Sequence, residues 1–151
     1  MSAALLGSRT LTAQAPAVPE HVPASSVPQD HLVQPEVFAA ELKSGAAKGQ
    51  LIFQVGSRVL FEQAHIPHAE YMGPTGKPEG LNILGARAEN LAPDQDIVLY
   101  CGCCPWARCP NIAPAWNLLH DMGFTHVRVL YLADNFGTNW VAKGYPSEPS
   151  K

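Results

Sequence analysis

At 151 residues the chain suits one ordinary domain, so a single core is expected. It is 46% hydrophobic and 15% charged, with a formal net charge of -3, which excludes the Lys/Arg excess of a polyanion-binding protein and makes nucleic acid a poor partner. No apolar run approaches the ~20 residues needed to cross a bilayer, so no membrane span is expected.

The first residues, Ser2 to Ala15, carry a short apolar stretch and then Ala13-Gln14-Ala15, a small-x-small pattern of the kind found at signal cleavage sites. A basic n-region is missing, as in a truncated signal peptide. The reading stays open between a periplasmic or secreted protein with a cleaved leader and a cytoplasmic one with a disordered leader. Pro16 to Pro28 alternates Pro, Ala, Val and Ser without hydrophobic periodicity, a composition for extended, solvated backbone. Residues 1–30 are therefore assigned to a leader and linker, and 31–148 to the folded domain.

A helical pattern opens at Gln34-Pro35-Glu36, with Pro35 in the first turn, Val37, Phe38, Ala39 and Leu42 on one face, and Gly45 as the stop. Leu51 to Val55 is a short apolar run fit for a buried parallel strand, and Gly56-Ser57 turns it into a short helix through Leu60 and Phe61. His65-Ile66-Pro67-His68-Ala69 leads to a small strand near Glu70 to Met72. Gly73 to Pro78 is a turn-rich loop, followed by a helix around residues 81–91.

Asp96 to Tyr100 is the clearest strand, its β-branched and aromatic residues continuous enough for burial on both faces. Residues 111–122 place Ile112, Ala115, Leu118, Leu119 and Met122 at helical spacing, with Gly123 as C-cap. Val127 to Leu130 is another strand, and a last helix over 135–143 puts Phe136, Trp140 and Val141 inward. Strand and helix in alternation imply an α/β fold, a parallel sheet covered by helices on both faces.

All four cysteines fall in one window, Cys101-Gly102-Cys103-Cys104-Pro105-Trp106-Ala107-Arg108-Cys109, so they mark a site and not a framework of staples. Cys101 stands at the carboxyl end of the best strand, where open parallel sheets bind ligands. The loop amides and the following helix N-terminus are expected to converge on its thiol and stabilise the nucleophilic thiolate. Cys103, Cys104 and Cys109 are close enough in sequence to resolve a persulfide or sulfenate on Cys101. Equally, the cluster presents several thiolates to a soft metal ion or an iron–sulfur cluster, or closes a structural disulfide. Arg108 is the one basic residue of the loop, able to steady an anion, and Trp106 either walls the pocket or anchors the loop. Trp116 and Trp140 read as core.

Four motifs in order resemble the rhodanese-like, sulfurtransferase family: His65-Ile66-Pro67-His68-Ala69, the strand Ile97 to Cys101, Gly123-Phe124-Thr125-His126-Val127, and Trp140-Val141-Ala142-Lys143-Gly144-Tyr145-Pro146. The resemblance runs from about Leu32 to Glu148. It implies a rhodanese-like parallel sheet with Cys101 as catalytic nucleophile, accepting a sulfane sulfur as a persulfide from a donor such as thiosulfate and passing it to a nucleophilic acceptor. It implies no cofactor and no resident metal. The partners it implies are a small sulfur-containing or oxyanion substrate and a protein thiol acceptor, and it makes His65 structural.

The chain departs from the family's pattern in its longer, Cys-rich loop, in Gln54 where Asp is usual, and in Gly56 where Arg is usual. Against the phosphate-sized cradle of related phosphatases and arsenate reductases, Arg108 falls one place late, and Pro105 and Pro110 remove amide donors. The competing function is a thiol-redox or metal-binding module on a catalytically quiet rhodanese domain.

Overall fold

The structure is a computed structural model and describes residues 26–151. The leader and its cleavage-like Ala13-Gln14-Ala15 lie outside the described residues. Five short strands, β1 (Leu32–Val33), β2 (Leu51–Gln54), β3 (Glu70–Tyr71), β4 (Ile97–Tyr100) and β5 (Val127–Leu130), form one sheet in the order β1-β5-β4-β2-β3. Every pairing is parallel, with Phe53 opposite Leu99 and Leu99 opposite Val129. The helices are α1 (Pro35–Ser44), α2 (Arg58–Gln63), α3 (Pro78–Ala88), α4 (Ile112–Asp121) and α5 (Phe136–Asn139).

Side chains alternate across β4, so each face of the sheet gathers its own core. Leu99 and Ile97 join Phe53, Leu84, Ile112, Leu119 and Val129 on the face covered by α3 and α4. Val98 and Tyr100 join Phe38, Ile52, Leu130, Phe136 and Trp140 on the other. Full burial of each such large apolar side chain contributes roughly 1.5–3 kcal/mol. All four β4 residues are buried, the signature of a central strand in a doubly covered sheet.

Helix ends follow local chemistry. Pro35 and Pro78 occupy first-turn positions, and Gly45 ends α1 with φ 82°, a left-handed conformation that glycine adopts without steric cost. Several expectations shift. The edge strand β1, only two residues long, carries no periodicity and was not foreseen. Val27, assigned to the linker by composition, is 2% exposed, so core packing already includes it. Val37 turns outward at 49% exposed and leaves Phe38 and Ala39 as the buried face of α1. Met122 likewise reaches the surface, at 38% exposed.

The helix expected around 81–91 starts earlier, at Pro78, and ends at Ala88. The last helix is broken: α5 stops at Asn139, Trp140 departs from helical backbone, and a separate 3-10 turn, Val141–Lys143, follows, leaving Val141 outward. The break lets the Trp140 indole bury completely while its ring N–H donates to the Pro146 carbonyl at 2.8 Å.

The connection after β2 runs toward β3 at one edge, while the connection after β4 runs toward β5 on the other side. The carboxyl ends of β2 and β4 therefore flank a topological switch point, where open parallel sheets leave a crevice. Gly56 and Cys101 face each other there.

Candidate functional site

Strand β4 carries the Cys101 thiol to the crevice, where the residue is 4% exposed. Gly56 stands against it: a Cβ built on Gly56 would lie 2.9 Å from Cys101 Sγ and 3.0 Å from its carbonyl oxygen. The glycine in place of a larger residue is thus the space the thiol occupies. Gln54 fastens the two loops together. Its Nε2 donates to the carbonyls of Cys101 and Ser57, each at 3.3 Å, and its Oε1 accepts the Gly56 N–H at 3.1 Å.

Gly102 then reverses the chain with φ 75°, and a side chain there would collide with Phe136, whose Cβ would be 2.5 Å from the new atom. The reversal brings Cys103 Sγ to 3.1 Å from Cys101 Sγ, and Cys104 Sγ to 3.1 Å from Cys103. All four cysteines are free thiols, so no disulfide staples the loop. The 3-10 turn Trp106–Arg108 carries the chain onward and returns Cys109, buried, to the cluster.

Asn111, expected only as the start of a helix, is the scaffold of the site. Its Nδ2 donates to Cys101 Sγ at 3.3 Å and to Cys103 Sγ at 3.7 Å, and its Oδ1 accepts the Gly76 N–H at 2.8 Å. Thr75, fully buried, donates to the Asn111 carbonyl at 2.6 Å. Among the described residues no buried side-chain nitrogen or oxygen lacks a partner. The sequence signal for this scaffold was the polar Thr75-Gly76 and Asn111 set between apolar elements, each readable as turn or cap chemistry alone.

Charge is distributed unevenly among the thiols. Cys101 is held well above the ordinary thiol range, chiefly by the Cys103 sulfur beside it and then by Cys104 and Cys109, with burial adding to the effect. Cys103 is pushed up to about 12: the neighbouring Cys101 thiol lowers it, but Cys109 and burial outweigh that. Cys109 is lowered to about 3 by the nearby Cys101 and then Cys103 thiols, against burial, with help from the backbone N–H groups of Asn111 and Ile112. Cys104 is lowered to about 7, first by Cys101. The loop and helix amides expected at Cys101 thus reach Cys109, because the longer loop returns that thiol to the start of α4. Burial and its sulfur neighbours favour the thiol form at Cys101, and the amides of Asn111 and Ile112 favour the thiolate at Cys109.

A cavity of about 10 Å³, room for one water-sized atom, lies among Cys101, Cys104, Cys109, Trp106, Ile112 and Leu132. Trp106 walls it, with its ring packed on Tyr131 at 5.0 Å. On the other side of Cys103 an open groove of about 400 Å³ runs over Leu60, Gln63, Gly102, Asn135, Phe136 and Val141. Among the described residues no charged side chain lines it. Arg108 is exposed and makes no side-chain hydrogen bond or ion pair among the described residues, while Ala107 is exposed and Pro105 half-buried.

The histidines lie elsewhere. His65 Nδ1–H donates to the Phe61 carbonyl at 2.8 Å, and the ring stacks on that of Phe61 at 4.1 Å and sits 3.6 Å from Glu148. It belongs to the bridge with the C-terminal segment, and His68 occupies a turn with φ 66°. Trp116 and Trp140 are core, as expected.

A family model for the rhodanese-like domain matches residues 36–132. The rhodanese-like domain of an Anabaena sp. protein, known from solution NMR, is similar with a TM-score of 0.58 at 27% identity, covering 79% of this chain and 79% of that one. A crystal structure of the same Anabaena protein gives a TM-score of 0.59 at 24% identity over 78% and 92% of the two chains. A Bacillus halodurans protein shares the fold, with a TM-score of 0.60 at 18% identity over 80% and 77%. No curated protein matches the chain.

Proposed function

The chain belongs to the rhodanese-like domain family, and on that premise we propose that it is a sulfurtransferase-type enzyme that carries a sulfane sulfur as a persulfide on Cys101. The observation that supports this best is the position of the Cys101 thiol, at the carboxyl end of the central strand β4, beside a cavity of about 10 Å³ that suits one added atom. Apolar Ile112 and Leu132 line that cavity and suit a large, polarisable sulfur.

The Cys101 thiol gives up its proton to solvent, and the thiolate so formed attacks the outer sulfur of the donor. The new bond is Sγ–S; the bond broken is the donor's S–S bond, whose electron pair leaves with the departing group, sulfite when the donor is thiosulfate. Asn111 Nδ2, already directed at Cys101 Sγ, steadies the anion during attack. A nucleophilic acceptor, such as a protein thiol, then takes the outer sulfur and returns Cys101 to the thiolate.

The 3.1 Å between Cys101 and Cys103 favours a second outcome for the same intermediate. Attack by the Cys103 thiolate on Cys101 Sγ expels the outer sulfur as sulfide and leaves a Cys101–Cys103 disulfide, which an external dithiol must reduce. Cys104 and Cys109 are the alternative resolving thiols. Intact mass of the reduced protein after treatment with thiosulfate or cysteine persulfide distinguishes the outcomes. One added sulfur that dithiothreitol removes supports the carrier, and loss of two hydrogens with sulfide release supports the relay. If neither donor changes the mass, the sulfur-transfer reading is wrong.

A further inference from the structure

We propose that Cys101, Cys103 and Cys104 form a three-thiolate site for one Cu(I) ion, and that the ion and the sulfur cargo compete for Cys101. Among the described residues these three are the only group of three or more His, Cys, Asp or Glu side chains placed to share a metal, and their sulfurs all lie within 4.8 Å of one another. With metal–sulfur bonds of about 2.3 Å, three sulfurs around one ion stand about 4 Å apart, so the two 3.1 Å separations open by about 0.9 Å. Rotation about the side-chain bonds of the half-buried Cys103 and Cys104 supplies that change.

The donor set selects the ion. It holds sulfur alone, with no imidazole or carboxylate, which favours soft ions such as Cu(I) and Zn(II) over hard ones. Structural zinc sites close with four ligands, and Cys109 stands outside the group of three, whereas Cu(I) is satisfied by three thiolates. Asn111 supplies what a thiolate site needs around its ligands: its Nδ2 is directed at both Cys101 and Cys103. Cys103 and Cys104 reach the surface while Cys101 is buried beneath them, which gives the ion a path in and out. Binding displaces the thiol protons, so affinity rises with pH. Copper bound to Cys101 draws electron density from its sulfur and blocks the approach of a sulfane donor, so the thiolate no longer attacks.

The test uses the full chain, reduced and kept anaerobic, titrated into a chromophoric Cu(I)–chelator complex. The expected result is withdrawal of one Cu(I) per chain, weakened at least about tenfold in Cys103→Ser and in Cys104→Ser but retained in Cys109→Ser. Circular dichroism checks that each variant is folded, and Cys104, half-exposed, is the position that tolerates change best. If the chelator keeps its copper, if Cys109→Ser loses the ion as Cys103→Ser does, or if equimolar Zn(II) displaces it, the three-thiolate Cu(I) site is overturned. Copper-loaded protein should gain no sulfur from thiosulfate or cysteine persulfide, and loading with copper still bound would overturn the competition. Copper binding by a protein whose metal-free form never gains sulfur refutes the sulfur-transfer reading and leaves the copper site standing.

Discussion

His65, on the segment that enters β3, and Cys101, on the loop that leaves β4, are both buried, yet they are held in opposite ways. The His65 imidazole is committed to the Phe61 carbonyl, the Phe61 ring and Glu148, partners that fix it and ask nothing further of it. The Cys101 thiol has another thiol at 3.1 Å, an amide donor at 3.3 Å and a cavity of about 10 Å³ beside it. A group whose partners are fixed backbone and ring atoms is scaffolding. A group whose partners can exchange protons with it is placed for chemistry.

Substitutions that break the thiol side of this contrast should have the largest effects. Gly102→Ala forces a side chain into left-handed backbone and against Phe136, so it should lower stability by at least about 2 kcal/mol and disperse the thiols; urea unfolding measures the first and thiol titration the second. Asn111→Leu strips the donor from Cys101 and the acceptor from the Gly76 N–H, so two hydrogen bonds of the site are lost together. A loss of about 1–3 kcal/mol is expected, together with slower sulfur loading under conditions where the variant remains folded.

Alkylation sharpens the picture inside the cluster. Cys104, lowered to about 7 and half-exposed, stays partly thiolate as pH falls below the ordinary thiol range, so iodoacetamide should label it first at pH 7. Cys101, buried and holding its proton, should be labelled last, as peptide mapping of partially alkylated protein would show. On the scaffold side, His65→Gln should cost about 1 kcal/mol in urea unfolding and leave sulfur loading of the folded protein unchanged. Arg108→Ala, at an exposed position without side-chain partners among the described residues, should change stability by less than about 0.5 kcal/mol and leave sulfur loading unaltered.

The parts of the molecule governed by local pattern were legible in the chain. Ile97 to Tyr100 reads as a central strand because burial on both faces demands an unbroken apolar run, and Pro35 and Gly45 bracket a helix through their own backbone limits. The two-residue β1 was not legible, since Leu32 and Val33 are too few to show a period and are ordered by pairing with Val129 and Leu130. Val37 and Val141 are apolar residues that tertiary packing left outward.

At the site, Cys101 and its three companion thiols were visible in sequence, but their division of labour was not. The amides of Asn111 and Ile112 reach Cys109 because the enlarged loop brings that residue back to α4, a long-range consequence of its conformation. The roles of Gln54, Thr75 and Asn111 were hidden for the same reason, since residues far apart in the chain meet only once β2 and β4 are side by side.

Intact mass of the reduced, anaerobic protein before and after thiosulfate or cysteine persulfide, set beside Cys101→Ser, tests the central claim most directly. The account predicts a mass change in the native sequence, either one added sulfur or a disulfide with sulfide released, and none in the variant. Equal sulfur loading in Cys101→Ser, or none in the native protein with its four thiols free, would contradict it.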